Sequence, residues 1–201
     1  MEATALLEFT LLKEAFARSE DLLSLPDGDR YELVDGQLVE RNLSTWSSYV
    51  AGRVYRLVAN FTEPKHAGWP FPEGTSYQCF PNHPNKVRRP DFSFIQLDRL
   101  SAKQALEGGH IPIVPDMAVE VVSPNDLYYE VEIKINEWMT AGVRLLWVIN
   151  PQTRNVRVFR DDGSSDAVQE KDEISGEDVI AGFRCRVSDF FLMPAEINGE
   201  Q

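Results

Sequence analysis

Residues 117–122, MAVEVV, form the stretch that decides the fold. A nearly unbroken apolar run of this length is typical of a strand that is covered on both faces. Glu120 is its only charge, and side-chain alternation puts it on the face of Ala118 and Val122. A carboxylate there is costly unless it is ion-paired, hydrogen-bonded or bound to a metal. The run therefore predicts a central strand with one inward carboxylate, Glu120, that needs a partner.

A helix follows this strand and turns a lysine back towards it. Turn residues at 123–126 predict the helix start, and Gly142 predicts its end after residue 141. At about 100° per residue, Lys134 falls inside the apolar stripe that contains Leu127, Val131 and Trp138. The sequence thus predicts an inward ammonium group on the element that follows Glu120.

A β-hairpin is predicted before this unit. An Asp-Gly pair at 35–36 separates the β-compatible runs YELV and QLVE, which is a strong signal for a two-residue hairpin loop. One or two short helical pieces precede the hairpin, with Thr10 and Ser19 as expected N-caps.

The remaining segments alternate between strand and helix patterns. Helical spacing of apolar residues predicts a helix over 45–61, which Pro64 ends. Further strands are predicted at 75–80, 91–95, 144–150 and 156–160. The acidic residues 161–178 are typical of a solvated face and loop. This order predicts the α/β class, as an α+β mixed sheet with flanking helices.

Composition fits one globular domain over residues 1–201. The chain has a mass of 22.8 kDa, with 43% hydrophobic and 26% charged residues, which excludes a disordered protein. No secretory signal and no membrane span is recognised, and two distant cysteines give no disulfide framework. We therefore expect a soluble cytoplasmic protein with no membrane partner.

The charge distribution limits the possible partners. A net charge of −12 has the wrong sign for a protein that coats nucleic acid non-specifically. Residues 53–103 nevertheless contain eight lysines and arginines against four acids, so a local basic surface stays possible. Phosphate-loop, dinucleotide-binding, esterase and zincin motifs are absent from the sequence.

The candidate catalytic residues are Asp91, Glu120 and Lys134. Asp91 opens a predicted strand, while Glu120 and Lys134 are charges at inward positions. Two carboxylates can hold a hard divalent cation, and a lysine can orient a nucleophile or stabilise developing negative charge. This set suits metal-assisted phosphodiester hydrolysis. A buried structural salt bridge among the same three residues is an equally good interpretation of the spacing.

Several ordered motifs resemble the Uma2 (DUF820) family over roughly residues 10–192. They are YELVDG at 31–36, RPD at 89–91, PD at 115–116 with VEVVSP at 119–124, and the segment from Lys134 through AGV at 141–143 to WVINP at 147–151. That family is assigned to the PD-(D/E)XK superfamily, so the resemblance implies a restriction-endonuclease-like core with flanking helices and an N-terminal hairpin.

The resemblance also implies roles for individual residues. Asp91 matches the aspartate of the PD motif and Glu120 the acid of the (D/E)XK strand, so both are expected to bind Mg²⁺ or Mn²⁺. Val122 occupies the usual lysine position, which implies that the lysine has moved to Lys134 on the following helix. Glu32 shares its hairpin face with Val34 and Val39, and is either a further acid of the site or structural.

The implied function is that of an endonuclease-like enzyme on nucleic acid, with DNA the expected substrate, acting as a homodimer. The family often has a histidine early in the helix after the hairpin, where this sequence has Ser47. The alternative is therefore a catalytically inactive scaffold that acts as a binding or regulatory protein.

Overall fold

The structure is a computed structural model that describes residues 17–194. Within this range the helices are α1 (Ser19–Ser24), α2 (Thr45–Thr62), α3 (Ala102–Leu106) and α4 (Tyr128–Ala141). The strands are β1 (Tyr31–Val34), β2 (Gln37–Glu40), β3 (Gly68–Pro72), β4 (Phe92–Gln96), β5 (Met117–Val121), β6 (Leu145–Asn150), β7 (Asn155–Arg160), β8 (Ser165–Gln169), β9 (Glu173–Ser175) and β10 (Arg184–Arg186). None of these helices is long and apolar enough to cross a membrane.

Six strands form one mixed sheet in the order β3-β4-β5-β6-β7-β8. In this sheet β5 and β6 are parallel and the other neighbours are antiparallel. Helix α4 provides the crossover that a parallel pair requires. Every residue of β5 is buried, so the prediction of a central strand covered on both faces is confirmed.

The two faces of the sheet carry separate apolar clusters. The face that packs against α2 contains Phe92, Val119 and Trp147. The opposite face contains Ala118 and packs with Trp138 of α4. Side-chain alternation therefore turns Glu120 towards α4, as the sequence predicts.

The hairpin and both long helices are confirmed. Strands β1 and β2 pair antiparallel, and Asp35 and Gly36 both have positive φ, 51° and 81°, as a type I′ turn requires. Helix α2 extends one residue past the predicted end. Helix α4 ends at Ala141, and its C-cap, Gly142, has a left-handed φ of 100°.

The predicted strand at 75–80 is wrong. Tyr77 makes isolated bridges to Arg88 and Ile111 instead, because β3 and β5 already occupy both sides of β4. The prolines of β3 conceal its strand character in the sequence, but an edge strand tolerates residues without an N–H donor.

Two smaller predictions also need correction. The acidic segment 161–178 is largely exposed, as expected, but it contains β8 and β9 rather than a loop alone. Helix α1 begins at Ser19 with Arg18 as its N-cap, one residue before the predicted cap. Thr10 lies outside the described residues.

Candidate active site

Four segments converge on one cleft at the C-terminal end of β5. The hairpin supplies Glu32, the segment before β4 supplies Arg88, β5 supplies Glu120 and α4 supplies Lys134. The cleft has a volume of about 230 Å³, and all four side chains line it. Asp91 lies beside these four residues, immediately before β4.

Lys134 occupies the inward position that the helical spacing predicts. Its Nζ lies 3.4 Å from Oε2 of Glu120 and 3.5 Å from Oε2 of Glu32. Burial lowers the pKa of Lys134, but Glu120, Glu32 and Asp91 together raise it by more, so it stays protonated. Trp138 donates a 2.8 Å hydrogen bond to the other Glu120 oxygen, which fixes the orientation of that carboxylate.

Glu32 is a buried, fully partnered carboxylate. Its Oε2 lies 2.8 Å from Nη1 of Arg88, and its Oε1 accepts a 2.9 Å hydrogen bond from the Arg89 backbone. Burial raises the pKa of Glu32, but the charges of Lys134 and Arg88 outweigh it and hold the pKa at about 2. The structure therefore brings Glu32 to Lys134.

Asp91 and Glu120 project from neighbouring strands towards the same side of the sheet. The register pairs Phe92 with Val119, and continuing it by one residue places Asp91 opposite Glu120. Asp91 accepts a 2.6 Å hydrogen bond from the Val121 backbone and lies 3.2 Å from Nη2 of Arg41. Burial raises its pKa to about 7, and the Glu120 carboxylate adds to this increase. Burial likewise raises the pKa of Glu120.

Each cation around the cleft is shared between two acids. Lys134 ion-pairs with Glu32 and Glu120, while Arg88 ion-pairs with Glu32 and Glu137. The same pattern holds for Arg41, between Glu73 and Asp91, and for Lys86, between Asp35 and Glu137. We call these four cations and their six acids the charged cluster. Within residues 17–194, Asp91 and Glu120 each share their ion-paired cation with a second acid, so the negative charge of these two acids is only partly compensated.

Sequence reasoning missed the residues that support Lys134. Glu137 lies three positions after Lys134, on the same side of α4, so helical spacing contains a signal for it. The Arg88-Arg89 pair before Pro90 is visible in the sequence, but its pairing with the distant hairpin is not. Trp138 is a core residue, as expected, and also donates to Glu120.

Ser47 has a structural task at the start of α2. Its backbone N–H donates to Oγ of Ser44, and its own Oγ accepts from the Ser44 backbone, each at 3.1 Å. This reciprocal arrangement is a capping box. Ser47 is not among the residues that line the cleft.

A family model described as "Putative restriction endonuclease", Uma2, matches residues 17–188. The chain belongs to the Uma2 family. A solved structure from Anabaena variabilis ATCC 29413, titled as a putative nuclease belonging to DUF820, superposes with a TM-score of 0.73 at 18% sequence identity. The match covers 87% of this chain and 97% of that one, and it confirms the expected fold class. No curated protein matches the chain.

The donor set fits a hard cation with few protein ligands. Among residues 17–194, no three His, Cys, Asp or Glu side chains are placed together as ligands. Asp91 and Glu120 nevertheless offer carboxylate oxygens, and burial raises the pKa of both, so their charged forms are costly there without a nearby cation. Mg²⁺ commonly takes one or two carboxylates and keeps several waters, so two acids suffice for it.

Proposed function

We propose that the protein hydrolyses phosphodiester bonds of nucleic acid with Mg²⁺ or Mn²⁺ held by Asp91 and Glu120. The observation that carries the proposal is the position of Lys134, an ammonium group between two carboxylates at an open cleft. Membership of a family described as "Putative restriction endonuclease" supports the same reaction class. When bound, the cation would polarise the phosphate and lower the pKa of a water.

The side chains of this chain divide the remaining work. Lys134 stabilises the negative charge that develops on the phosphate oxygens, or orients the attacking water. Glu32 is a positioning residue that holds the Lys134 ammonium near the cleft, and Arg88 holds Glu32 in turn. Glu137 anchors Arg88 on α4. Trp138 fixes one oxygen of Glu120 and leaves the other directed to Lys134.

A catalytically inactive scaffold that binds or regulates a partner is the second candidate. The favouring observation is that Lys134 lies within ion-pair distance of both Glu32 and Glu120, contacts that a purely structural ion-pair network would also produce. The net charge of −12 and Ser47 point the same way.

Metal binding and cleavage together separate the two candidates. Calorimetric titration with Mn²⁺ is expected to show binding to the wild type, and greatly weakened binding to Asp91→Asn and Glu120→Gln. Single-stranded and duplex DNA and RNA are then incubated with and without Mg²⁺. Wild type that binds no metal and cleaves none of these substrates would leave the scaffold as the function.

We also propose two partners, DNA and a second copy of the chain. Twofold dimers are the commonest soluble assembly, so the second copy is expected to be related to the first by a twofold axis. Light scattering at micromolar concentration tests the dimer, because a particle of 22.8 kDa would be a monomer. Cytoplasmic location stays an expectation from the sequence.

A further inference from the structure

One side of the cleft is apolar, and we call it the apolar wall; it lies beside the charged residues that line the cleft. The hairpin contributes Val34 and Val39, and the end of β5 is followed by Val122. Helix α4 contributes Tyr129, Val131 and Ile133. Tyr129 is 58% exposed and Ile133 47% exposed, so this wall is open to a ligand.

The cations of the cleft are already engaged. Arg41, Arg88 and Lys134 line it, and each of them pairs with two acids. The other charged residues that line it, beyond the acids of the charged cluster, are Glu40, Asp126 and Glu130. Proteins that follow a nucleic-acid backbone neutralise its phosphates with free lysines and arginines. Among residues 17–194, the lining of the cleft therefore offers no uncommitted lysine or arginine that would hold a polyanion by its phosphates.

The size of the cleft indicates a small occupant. Its volume of about 230 Å³ lies below the roughly 300–1,000 Å³ of pockets for drug-sized ligands. A nucleobase is the apolar, planar part of a nucleic acid, and single strands bind proteins by stacking bases on aromatic side chains. Bases in a duplex are already stacked and paired, and extracting one costs a few kcal/mol.

We propose that the apolar wall is a subsite for an unpaired nucleobase, that Tyr129 is its stacking platform, and that the substrate class is single-stranded DNA. This inference rests on the proposed function, because the base would belong to a nucleotide next to the phosphate at Lys134. Stacking of the base on the apolar wall then provides the affinity, and Lys134 acts on a single phosphate.

The experiment measures binding by fluorescence anisotropy in Ca²⁺, with a labelled oligodeoxythymidine of about 12 nucleotides. A duplex and an abasic strand of equal length are the comparison ligands. Tyr129→Ala is expected to weaken binding of the single strand roughly 5- to 100-fold, the range that loss of one stacked base produces. Tyr129→Phe keeps the ring and is expected to bind as wild type does.

Tyr128→Ala is the matched control. Tyr128 precedes Tyr129 on the first turn of α4 and is 77% exposed, but it does not line the cleft. Its removal is expected to leave single-strand binding unchanged. Wild type is expected to bind the abasic strand and the duplex more weakly than the single strand.

Three results of the binding measurements would overturn the subsite. They are equal losses for Tyr128→Ala and Tyr129→Ala, equal wild-type affinity for the abasic strand, and no binding of the single strand at all. A change of particle mass in Tyr129→Ala would assign the wall to a second copy of the chain and overturn it as well. Tyr129-dependent binding without cleavage in Mg²⁺ would keep the subsite and reject hydrolysis. Duplex cleavage insensitive to Tyr129 would do the reverse.

Discussion

Strand β5 has a buried carboxylate at each end, and the two differ in how their charge is compensated. Asp116, just before the strand, has two arginines within reach, with Arg99 at 2.7 Å and Arg144 at 3.5 Å. It also accepts a 2.8 Å hydrogen bond from the Gln96 backbone. Glu120, at the other end, ion-pairs within residues 17–194 with Lys134, which it shares with Glu32.

This difference teaches that a buried acid is not by itself the mark of a site. Asp116 is 1% exposed and Glu120 is 7% exposed, so burial does not distinguish them. What distinguishes Glu120 is shared compensation next to a cleft, which leaves negative charge that a cation can satisfy. We call the Asp116 end the closed end, because Asp116 pairs with two arginines away from the cleft, and the Glu120 end the open end, because Glu120 lines the cleft.

Removing Lys134 is expected to have the largest effect. Lys134→Ala takes away a group that acts on charge in the transition state, so cleavage should fall about 10²- to 10³-fold. Arg144→Ala, the matched change at the Asp116 end, is expected to leave the rate unchanged. Initial rates in saturating Mg²⁺ measure both. Equal losses in the two variants would remove the distinction between the ends.

Neutralising Asp116 is expected to lower the stability more than neutralising Glu120. Asp116→Asn leaves Arg99 and Arg144 without their buried partner, and should lower the free energy of unfolding by about 2–3 kcal/mol. The loss stays below that of a fully buried pair because both arginines are about a third exposed. Glu120→Gln should cost less in EDTA, since Lys134 keeps Glu32 and Trp138 keeps an acceptor.

Mg²⁺ makes that contrast sharper in a urea titration. A ligand that binds only the folded state stabilises it, so Mg²⁺ should raise the unfolding midpoint of wild type and of Asp116→Asn. It should not raise the midpoint of Glu120→Gln. An identical Mg²⁺ shift in both variants would place the cation elsewhere.

Titration of Asp91 is expected to produce a pH slope. Its pKa is about 7 in the folded protein against an ordinary 3.8, so the folded state binds the extra proton between these values. In EDTA, stability should therefore fall as pH rises from about 4 to 7, and Asp91→Asn should lose this component.

Glu32 should behave in the opposite way. Its pKa is about 2 in the folded protein against an ordinary 4.5, so its contribution is present above 4.5 and is lost as pH falls towards 2. Unfolding in urea across pH 3–8, for wild type, Asp91→Asn and Glu32→Gln, measures both slopes. An unchanged slope in Asp91→Asn would contradict the raised pKa that burial and the Glu120 carboxylate give Asp91.

The sequence predicts those parts of the fold and site that depend on local periodicity. Alternation in β5 orients Glu120, and helical spacing turns Lys134 inward, because both depend on neighbours in the chain. The register of Asp91 against Glu120 and the pairing of Arg88 with Glu32 depend on tertiary contacts across 29 to 56 positions. Strand β3 was missed because its prolines argue against a strand, and only its place at the sheet edge permits them.

The smallest expected effect belongs to Asp178, at the rim of the closed end. Its carboxylate lies 2.6 Å from Arg144, but it is 80% exposed, so water and salt screen the pair. Asp178→Ala should change the free energy of unfolding by about 0–1 kcal/mol, since exposed ion pairs contribute little. Arg144 keeps Asp116 in this variant, so cleavage and Mg²⁺ stabilisation should stay as in wild type. Unfolding at low and high salt measures the effect beside Asp116→Asn. A loss as large as that of Asp116→Asn would mean that compensation at this end depends on the whole ion-pair chain rather than on the two arginines around one buried acid.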